Sequence, residues 1–217
     1  MKAPLPANEA ERLKTLQEYQ ILGLDSDATL DAFTQLAAAI CDTPMSTITL
    51  LGEHKGWLVS KVGLDQTESD RDVTFCAHTI LQKDILLVED AQKDSRFSDN
   101  PYVATNPGIR FYAGAPLIVE NGAALGSLCV VDTRPKKLTP LQMNALNVLQ
   151  KAVVTHLEHR RLLKELNALE NLLPMCAWCR SIRNPDSSWT PLADYVSKSV
   201  PVSHAMCPNC AKNYGKS

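Results

Sequence analysis

Four cysteines in the last fifth of this 217-residue chain have the spacing of a metal site: Cys176-x-x-Cys179 and Cys207-x-x-Cys210, with 27 residues between the pairs. Two such turns bring four thiolates to one tetrahedral Zn²⁺, and backbone N–H groups in each turn donate to sulfur. His204, three residues before Cys207, is a substitute ligand. The gap exceeds the roughly 15–20 residues of the common spacing, but Trp189 to Lys198 can form a helix within it. A small tail with little core of its own needs a staple, which favours structural zinc. Reduced thiols without metal, or a redox or disulfide pair, are the alternatives. Cys207-Pro208-Asn209-Cys210 also has the spacing of a dithiol redox motif, but that motif wants a βαβ unit nearby and none is read here.

Cys76-Ala77-His78 sets a thiol beside an imidazole. The pair either presents both groups to a ligand, or Cys76 is a small core residue and His78 a capping or hydrogen-bonding group. A third set, Asp90, Asp94, Arg96, Asp99, Asn100 and Arg110, has arginines suited to gripping a carboxylate or phosphate. The same residues also suit a structural role, in which Asp and Asn cap turns in a long loop and arginines tie that loop to a sheet. Phe75, Phe97, Phe111 and Tyr112 read as core or cleft wall rather than a stacking platform. There is no Ser-His-Asp set with a nucleophile elbow, no GxxxxGK[ST] and no HExxH. The expectation is therefore a binding protein and not an enzyme.

The elements that would position these groups are organised around Arg110 to Asp132. Asn121-Gly122 separates two apolar runs and suits a tight primed turn. Phe111, Ala113, Ala115, Leu117 and Val119 share one strand face. Leu125, Ser127, Cys129 and Val131 are expected on one face of the return strand, with Leu128 and Val130 on the other. Both faces are apolar or small, as in the covered middle of a sheet, and Pro116 marks a bulge or an edge. Upstream, Asn8 is expected to cap a helix that stops at Gly23, and Asp25 or Ser26 to open a second one with Leu30, Phe33, Leu36, Ala37 and Ile40 at helical spacing. Residues 46–51 and 57–62 read as a hairpin, 65–72 as a polar loop, and 85–88 as a short strand. Asp90 to Arg110 reads as a long structured loop with a helical turn. Thr139-Pro140 opens a helix that nothing breaks before about Leu172, ~50 Å at 1.5 Å per residue. Leu162, Leu166, Leu169 and Leu173 give it a coiled-coil-like stripe that calls for a second copy or the tail.

Hydrophobic content of 45% and charged content of 21% permit a real core, and a net charge of −2 gives no reason to expect nucleic acid. No apolar run approaches the ~20 residues that span a bilayer, and MKAPLPANEAERL lacks a signal-peptide core. No membrane partner is expected, and seven cysteines without a secretion signal point to a reducing, cytoplasmic setting.

The segments AERLKTLQEYQILGL, TFCAHTIL, VEDAQKDSRFSDNPYV, IRFYAGAPL and LGSLCVVDTRPKKLTPLQ, in this order, resemble bacterial GAF domains of signalling proteins over about Asn8 to His159. The resemblance implies an α+β fold: a central antiparallel sheet of about six strands, helices on one face and a ligand-sized cleft on the other. It places Phe75, Cys76, His78, Asp90, Arg96, Asn100, Arg110 and Tyr112 as candidate cleft residues for a small ligand of unknown identity. It also implies a homodimer through the terminal helices and a signalling partner. Gly56-Trp57-Leu58-Val59 and Glu68-Ser69-Asp70-Arg71 depart from the usual pattern beside the cleft, so no ligand is carried over. Linear tetrapyrroles attach to cysteine in some such domains, and Cys76-Ala77-His78 does not match that pattern well. The tail resembles a short cysteine-rich extension at the ends of some bacterial kinases and response regulators.

The domain organisation expected is thus residues 1–24 as an N-terminal helix, 25–138 as the core, 139–173 as a long signalling helix and 174–217 as a zinc-binding, zinc-ribbon-like tail. The function expected is a sensory module that passes ligand binding through the long helix to the tail. One alternative is a thiol enzyme like the GAF domains that reduce free methionine sulfoxide, using Cys76 with Cys41 or Cys129. Another is a scaffold that docks a protein through the tail, with Trp178, Trp189 and Tyr195 as anchors.

Overall fold

Strand β1 (Met45–Leu51) is buried along almost its whole length, and that burial requires neighbours on both edges and cover on both faces. Its neighbours are β2 (Lys55–Val62) and β6 (Ala124–Asp132), both antiparallel. With β3 (Glu68–Asp70), β4 (Leu86–Val88) and β5 (Phe111–Ile118) they form one six-stranded sheet in the order β3-β2-β1-β6-β5-β4. The computed structural model describes residues 2–19, 27–170, 174–184 and 186–199. Two compact units divide the chain, Met1–Lys164 and Glu165–Ser217.

One face of the sheet carries Ile48 and Leu50 from β1, Phe111, Ala113, Ala115 and Leu117 from β5, and Leu128 and Val130 from β6. Against it pack α1 (Glu9–Glu18), α2 (Ala28–Cys41) and α5 (Pro140–Glu170), through Leu16, Leu30, Ala37, Leu146, Leu149, Val153 and Leu157. On the opposite face lie α3 (Cys76–Thr79) and α4 (Pro101–Ala104), with Phe75, Phe97, Val103 and Tyr112 in a second apolar cluster. The expected α+β architecture is present, with helices behind the sheet and loops in front.

Several local expectations change. Leu125 packs with Leu128 and Val130 on the helix side, and not with Ser127, Cys129 and Val131. The cause is a register shift after Pro116, where Ser127 and then Ala124 follow as partners of Pro116 and Ile118. The extra residue flips the strand's face, as a bulge beside a donor-less proline should. The Asn121-Gly122 loop is not a primed turn. Only Gly122 has positive φ, at 83°, its N–H donates to Val119 O at 2.8 Å, and Asn121 Oδ1 accepts from Ala123 N. This is a type I turn closed by a left-handed glycine.

The α2 cap is Asp27, whose carboxylate accepts from Thr29 N and Leu30 N; Asp25, Ser26 and Gly23 lie outside the described residues. Asn8 occupies the α1 cap position without a side-chain cap bond. Glu9 anchors that helix differently, between Arg12 and Arg71 at 2.7 and 2.5 Å. The polar loop at 65–72 contains the edge strand β3. At α5, Thr139 and Gln142 form a reciprocal cap, with Gln142 Oε1 accepting from Thr139 N at 2.9 Å.

In the second unit, β7 (Ile182–Arg183) and β8 (Trp189–Thr190) pair as a small hairpin, followed by α6 (Leu192–Ser199). The helix expected inside the cysteine gap is thus present, starting three residues later.

Candidate functional site

The register of β1 with β6 pairs Met45 with Val131, Thr47 with Cys129 and Thr49 with Ser127. Their odd-numbered side chains therefore share the face away from α5. Over this face the loops leave a cavity of about 220 Å³. Its floor is Met45, Thr47, Thr49, Tyr112, Cys129 and Val131. Leu58, Leu64, Gln66 and Ser69 wall one side, Thr74, Phe75 and Cys76 another, and the segment from Tyr102 to Ile109 closes the rim.

Aromatic packing holds the α3 side in place. Phe75 stacks on Phe97 with ring centroids 4.1 Å apart and touches Tyr112 at 5.0 Å. Tyr112 bends over Gly114: a Cβ there would stand 2.2 Å from the phenol oxygen and 2.8 Å from Thr79 Oγ1. The freed space lets Tyr112 Oη and Thr79 Oγ1 share a 2.7 Å hydrogen bond, with Cys76 Sγ 3.8 Å from the same phenol.

Cys76 and Cys129 are buried neighbours on this wall and titrate as a pair. The Cys129 thiol hydrogen-bonds Cys76 and, against the cost of burial, holds it down to about 6. The bond to Cys76, together with burial, pushes Cys129 well above the ordinary thiol value. The pair thus favours ionisation at Cys76 over Cys129. Burial also pushes Tyr112 well above the usual phenol value, so its hydroxyl stays protonated.

Phe75, Cys76 and Tyr112 of the eight candidate residues are brought together on the cavity wall. The other five stand outside it and hold the surrounding loops. Asn100 accepts from Tyr102 N to cap α4 and donates to Val73 O at 2.7 Å. Arg110 donates to Val103 O and Ile109 O. Arg96 pairs with Asp94 at 2.6 Å and lies over Phe97, which also takes His78 edge-on. Asp90 pairs with Lys93 at 2.9 Å. Thr47 and Thr49 are lining residues that the sequence reading passed over, while Ser69 belongs to the 68–71 segment expected beside the cleft. The signal of the two threonines was their alternation with Ile48 and Leu50 in β1.

In the second unit Cys176 and Cys179 sit on one tight turn. Arg180 N donates to Cys176 O at 2.9 Å, Cys176 N donates to Ser181 O at 2.8 Å, and Arg180 takes φ 59°. Hydrogen bonds from Ser181 hold Cys179 down to about 7. His204, Cys207 and Cys210 lie outside the described residues, among which no three His, Cys, Asp or Glu side chains converge on a cation.

This sheet order, with helices behind and a cavity in front, defines an α+β domain. Residues 25–157 match the GAF domain family, and the chain belongs to that family. A cyclic di-GMP phosphodiesterase of Pseudomonas aeruginosa is 39% identical over 133 residues, which are 61% of this chain and 23% of that protein. The chain thus spans about a quarter of that relative. Among solved structures, the blue-light absorbing PixJ GAF domain of Thermosynechococcus elongatus aligns at TM-score 0.53 and 13% identity, over 76% of this chain and 96% of that one. The free methionine-R-sulfoxide reductase of Neisseria meningitidis aligns at 0.52 and 15%, over 75% and 97%. At these identities the likeness is one of fold. No helix among the described residues is long and apolar enough to cross a membrane.

Proposed function

We propose that the chain is a regulatory sensor module: a small molecule occupies the cavity, and its presence is read out through α5. The observation that carries this is the two-sidedness of β1 and β6. Thr47, Thr49, Cys129 and Val131 face the cavity, while their neighbours Ile48, Leu50, Leu128 and Val130 pack in the cluster that holds Leu146, Leu149, Val153 and Leu157 of α5. A molecule that fits one strand spacing better than another shifts the population of α5 positions with it. The helix runs on to Glu170, beyond the end of the first unit. Leu162, Leu163 and Leu166 are exposed on it and supply the face for a second copy. The cyclic di-GMP relative supports an output in second-messenger signalling, with this chain in a regulatory role.

The test is native mass spectrometry of the gently purified chain, followed by hydrogen exchange before and after the retained molecule is stripped. One equivalent is expected, and its loss should speed exchange at 47–51, 128–131 and 146–157. A bound molecule whose removal leaves α5 unchanged would sink the read-out. Retention of the dimer by Leu166→Asp in size-exclusion and scattering would remove the helix interface.

The tail completes the proposal as a zinc-held module. Cys176 and Cys179, on one tight turn, would form one half-site, and Cys207 and Cys210, with His204 as substitute, would supply the other half. Soft thiolates of this number suit Zn²⁺, which would act there as a structural staple. Two other readings each have one observation in favour. The Cys76–Cys129 pair in the cavity favours a thiol reductase, tested by sulfoxide turnover with a dithiol donor and by its loss in Cys76→Ser. Trp178, almost fully exposed, favours a protein-docking tail, tested by binding with the tail deleted.

A further inference from the structure

The charge of the cavity's occupant follows from its wall. Among the described residues lining it there is no Asp, Glu, Lys, Arg or His. The arginines nearest in sequence lie elsewhere: Arg71 bonds Glu9 and Gly52 O, Arg96 bonds Asp94, Arg110 bonds two backbone carbonyls, and Arg134, next to the lining residue Thr133, is turned to solvent 3.9 Å from Asp132. The one wall group whose ionisation is favoured, the Cys76 thiol, already has its sulfur met by the Cys129 thiol and the Tyr112 hydroxyl. An ion of either sign placed here would lose its hydration and gain no free counter-charge, an unfavourable exchange for a buried ion.

What the wall does offer is hydroxyl chemistry on an apolar body. Thr47 Oγ1 and Thr49 Oγ1 stand 3.2 Å apart on the floor. Ser69 lines the cavity from β3 in a residue only 8% exposed, and its Oγ, packed over Gly56, has no hydrogen-bond partner. A buried hydroxyl left unmet costs stability unless something arrives to meet it. Leu58, Leu64, Phe75, Ile109 and Val131 supply the apolar surround. The volume of about 220 Å³ is below the roughly 300–1,000 Å³ of drug-sized sites, and above the ~150 Å³ that holds benzene.

We infer that the cavity is built for a small uncharged molecule with an apolar body and a hydrogen-bonding edge directed at Ser69 and the Thr47–Thr49 pair. The inference rests on the cavity being a ligand site and deepens that reading. It sets phosphate esters, carboxylates and zwitterionic amino acids aside as occupants, so a cyclic dinucleotide or free methionine sulfoxide would act elsewhere or not at all.

Four probes of one shape separate the charge classes: benzyl alcohol, benzoate, benzylamine and phenylalanine, titrated into the full chain by NMR. Benzyl alcohol should shift Thr49, Cys129 and Val131, and the three charged probes should bind at least about tenfold more weakly. Ser69→Ala should keep the melting temperature, since no hydrogen bond is lost in the free protein. The same variant should weaken benzyl alcohol about three- to tenfold. A charged probe that binds in the cavity within a few-fold of the alcohol overturns the neutral class and leaves the cavity a ligand site. Failure of all four, or shifts confined to other surfaces, overturns both. Unchanged alcohol binding in Ser69→Ala overturns the assigned edge.

Discussion

Tyr112 folds back over Gly114, two residues along its own strand, and the phenol oxygen occupies the place a Cβ at position 114 would need. That arrangement delivers the hydroxyl to Thr79 and brings the ring beneath Phe75. Gly114→Ala should therefore displace Tyr112 and destabilise the fold by about 1–3 kcal/mol, the usual cost of overpacking a filled core. Tyr112→Phe keeps the ring and removes only the hydroxyl, so it should cost about 1 kcal/mol. Urea denaturation of both variants checks the order. Equal stability of Gly114→Ala and the parent protein would show that the ring has room to move.

Glu9 joins α1 to the sheet through two guanidiniums, and acid should undo that joint. Burial alone would raise the carboxyl, but hydrogen bonds and charge from Arg12 and Arg71 outweigh it and hold Glu9 at about 2. Asp27, the α2 cap, also resists burial. Hydrogen bonds from His156, Leu30 N and Arg160 hold it at about 2. A carboxyl whose folded value is depressed stabilises fully above its unfolded value and loses that contribution as pH falls through the folded one. Stability should thus be level above about pH 5 and decline between roughly pH 4.5 and 2, by on the order of 1 kcal/mol for Glu9 once solvent screening at its partly exposed site is allowed for. Glu9→Gln should flatten much of that decline while lowering stability at pH 7. Denaturation midpoints at a series of pH values give the curve, and a Glu9→Gln profile parallel to the parent's would refute the assignment.

These joints also show what a sequence exposes. Five of the six strands and the long helix were legible because alternation, Asn-Gly and Thr-Pro signals are local, whereas the three-residue edge strand β3 read as a polar loop and the cleft side came from the family resemblance. The Leu125 flip was not, since a bulge changes every face beyond it and its trigger, Pro116, lies on the partner strand. Asp90, Arg96, Asn100 and Arg110 were visible as a polar group. Whether such residues hold a loop or a ligand depends on backbone carbonyls that no spacing reveals, as Val73 O and Val103 O show. Thr47 and Thr49 gained their meaning only when the register put them beside Cys129.

The thiol pair supplies a kinetic signature. With Cys129 as its hydrogen-bond partner, Cys76 is held to about 6, so its alkylation by iodoacetamide should rise through a midpoint near pH 6. Cys129 should react far more slowly across the neutral range. Cys129→Ser removes the thiol partner, and the Cys76 midpoint should move upward, toward the ordinary ~8.5. Mass-spectrometric rates at each site measure this directly. A midpoint that stays near 6 in the variant would place the cause elsewhere than Cys129.

The tail makes the sharpest demand on metal. If Cys176, Cys179, Cys207 and Cys210 share one Zn²⁺, purified protein should carry one equivalent per chain, and Cys176→Ser should lower that stoichiometry and weaken retention against a chelator. Structural zinc sites contribute roughly 10–16 kcal/mol of binding free energy at pH 7, more than a hairpin of two-residue strands and one short helix can provide. Chelation should therefore raise hydrogen exchange across 174–199 toward unfolded rates while leaving the sheet strands β1, β5 and β6 protected. Thiol titration gives an independent reading: four reactive groups besides Cys76 should appear on chelation, with Cys41 and Cys129 silent in their buried sites. Protein that holds no stoichiometric metal, and whose residues 174–199 keep their protection under chelator, would mean that α6 and the β7–β8 hairpin are held by other contacts.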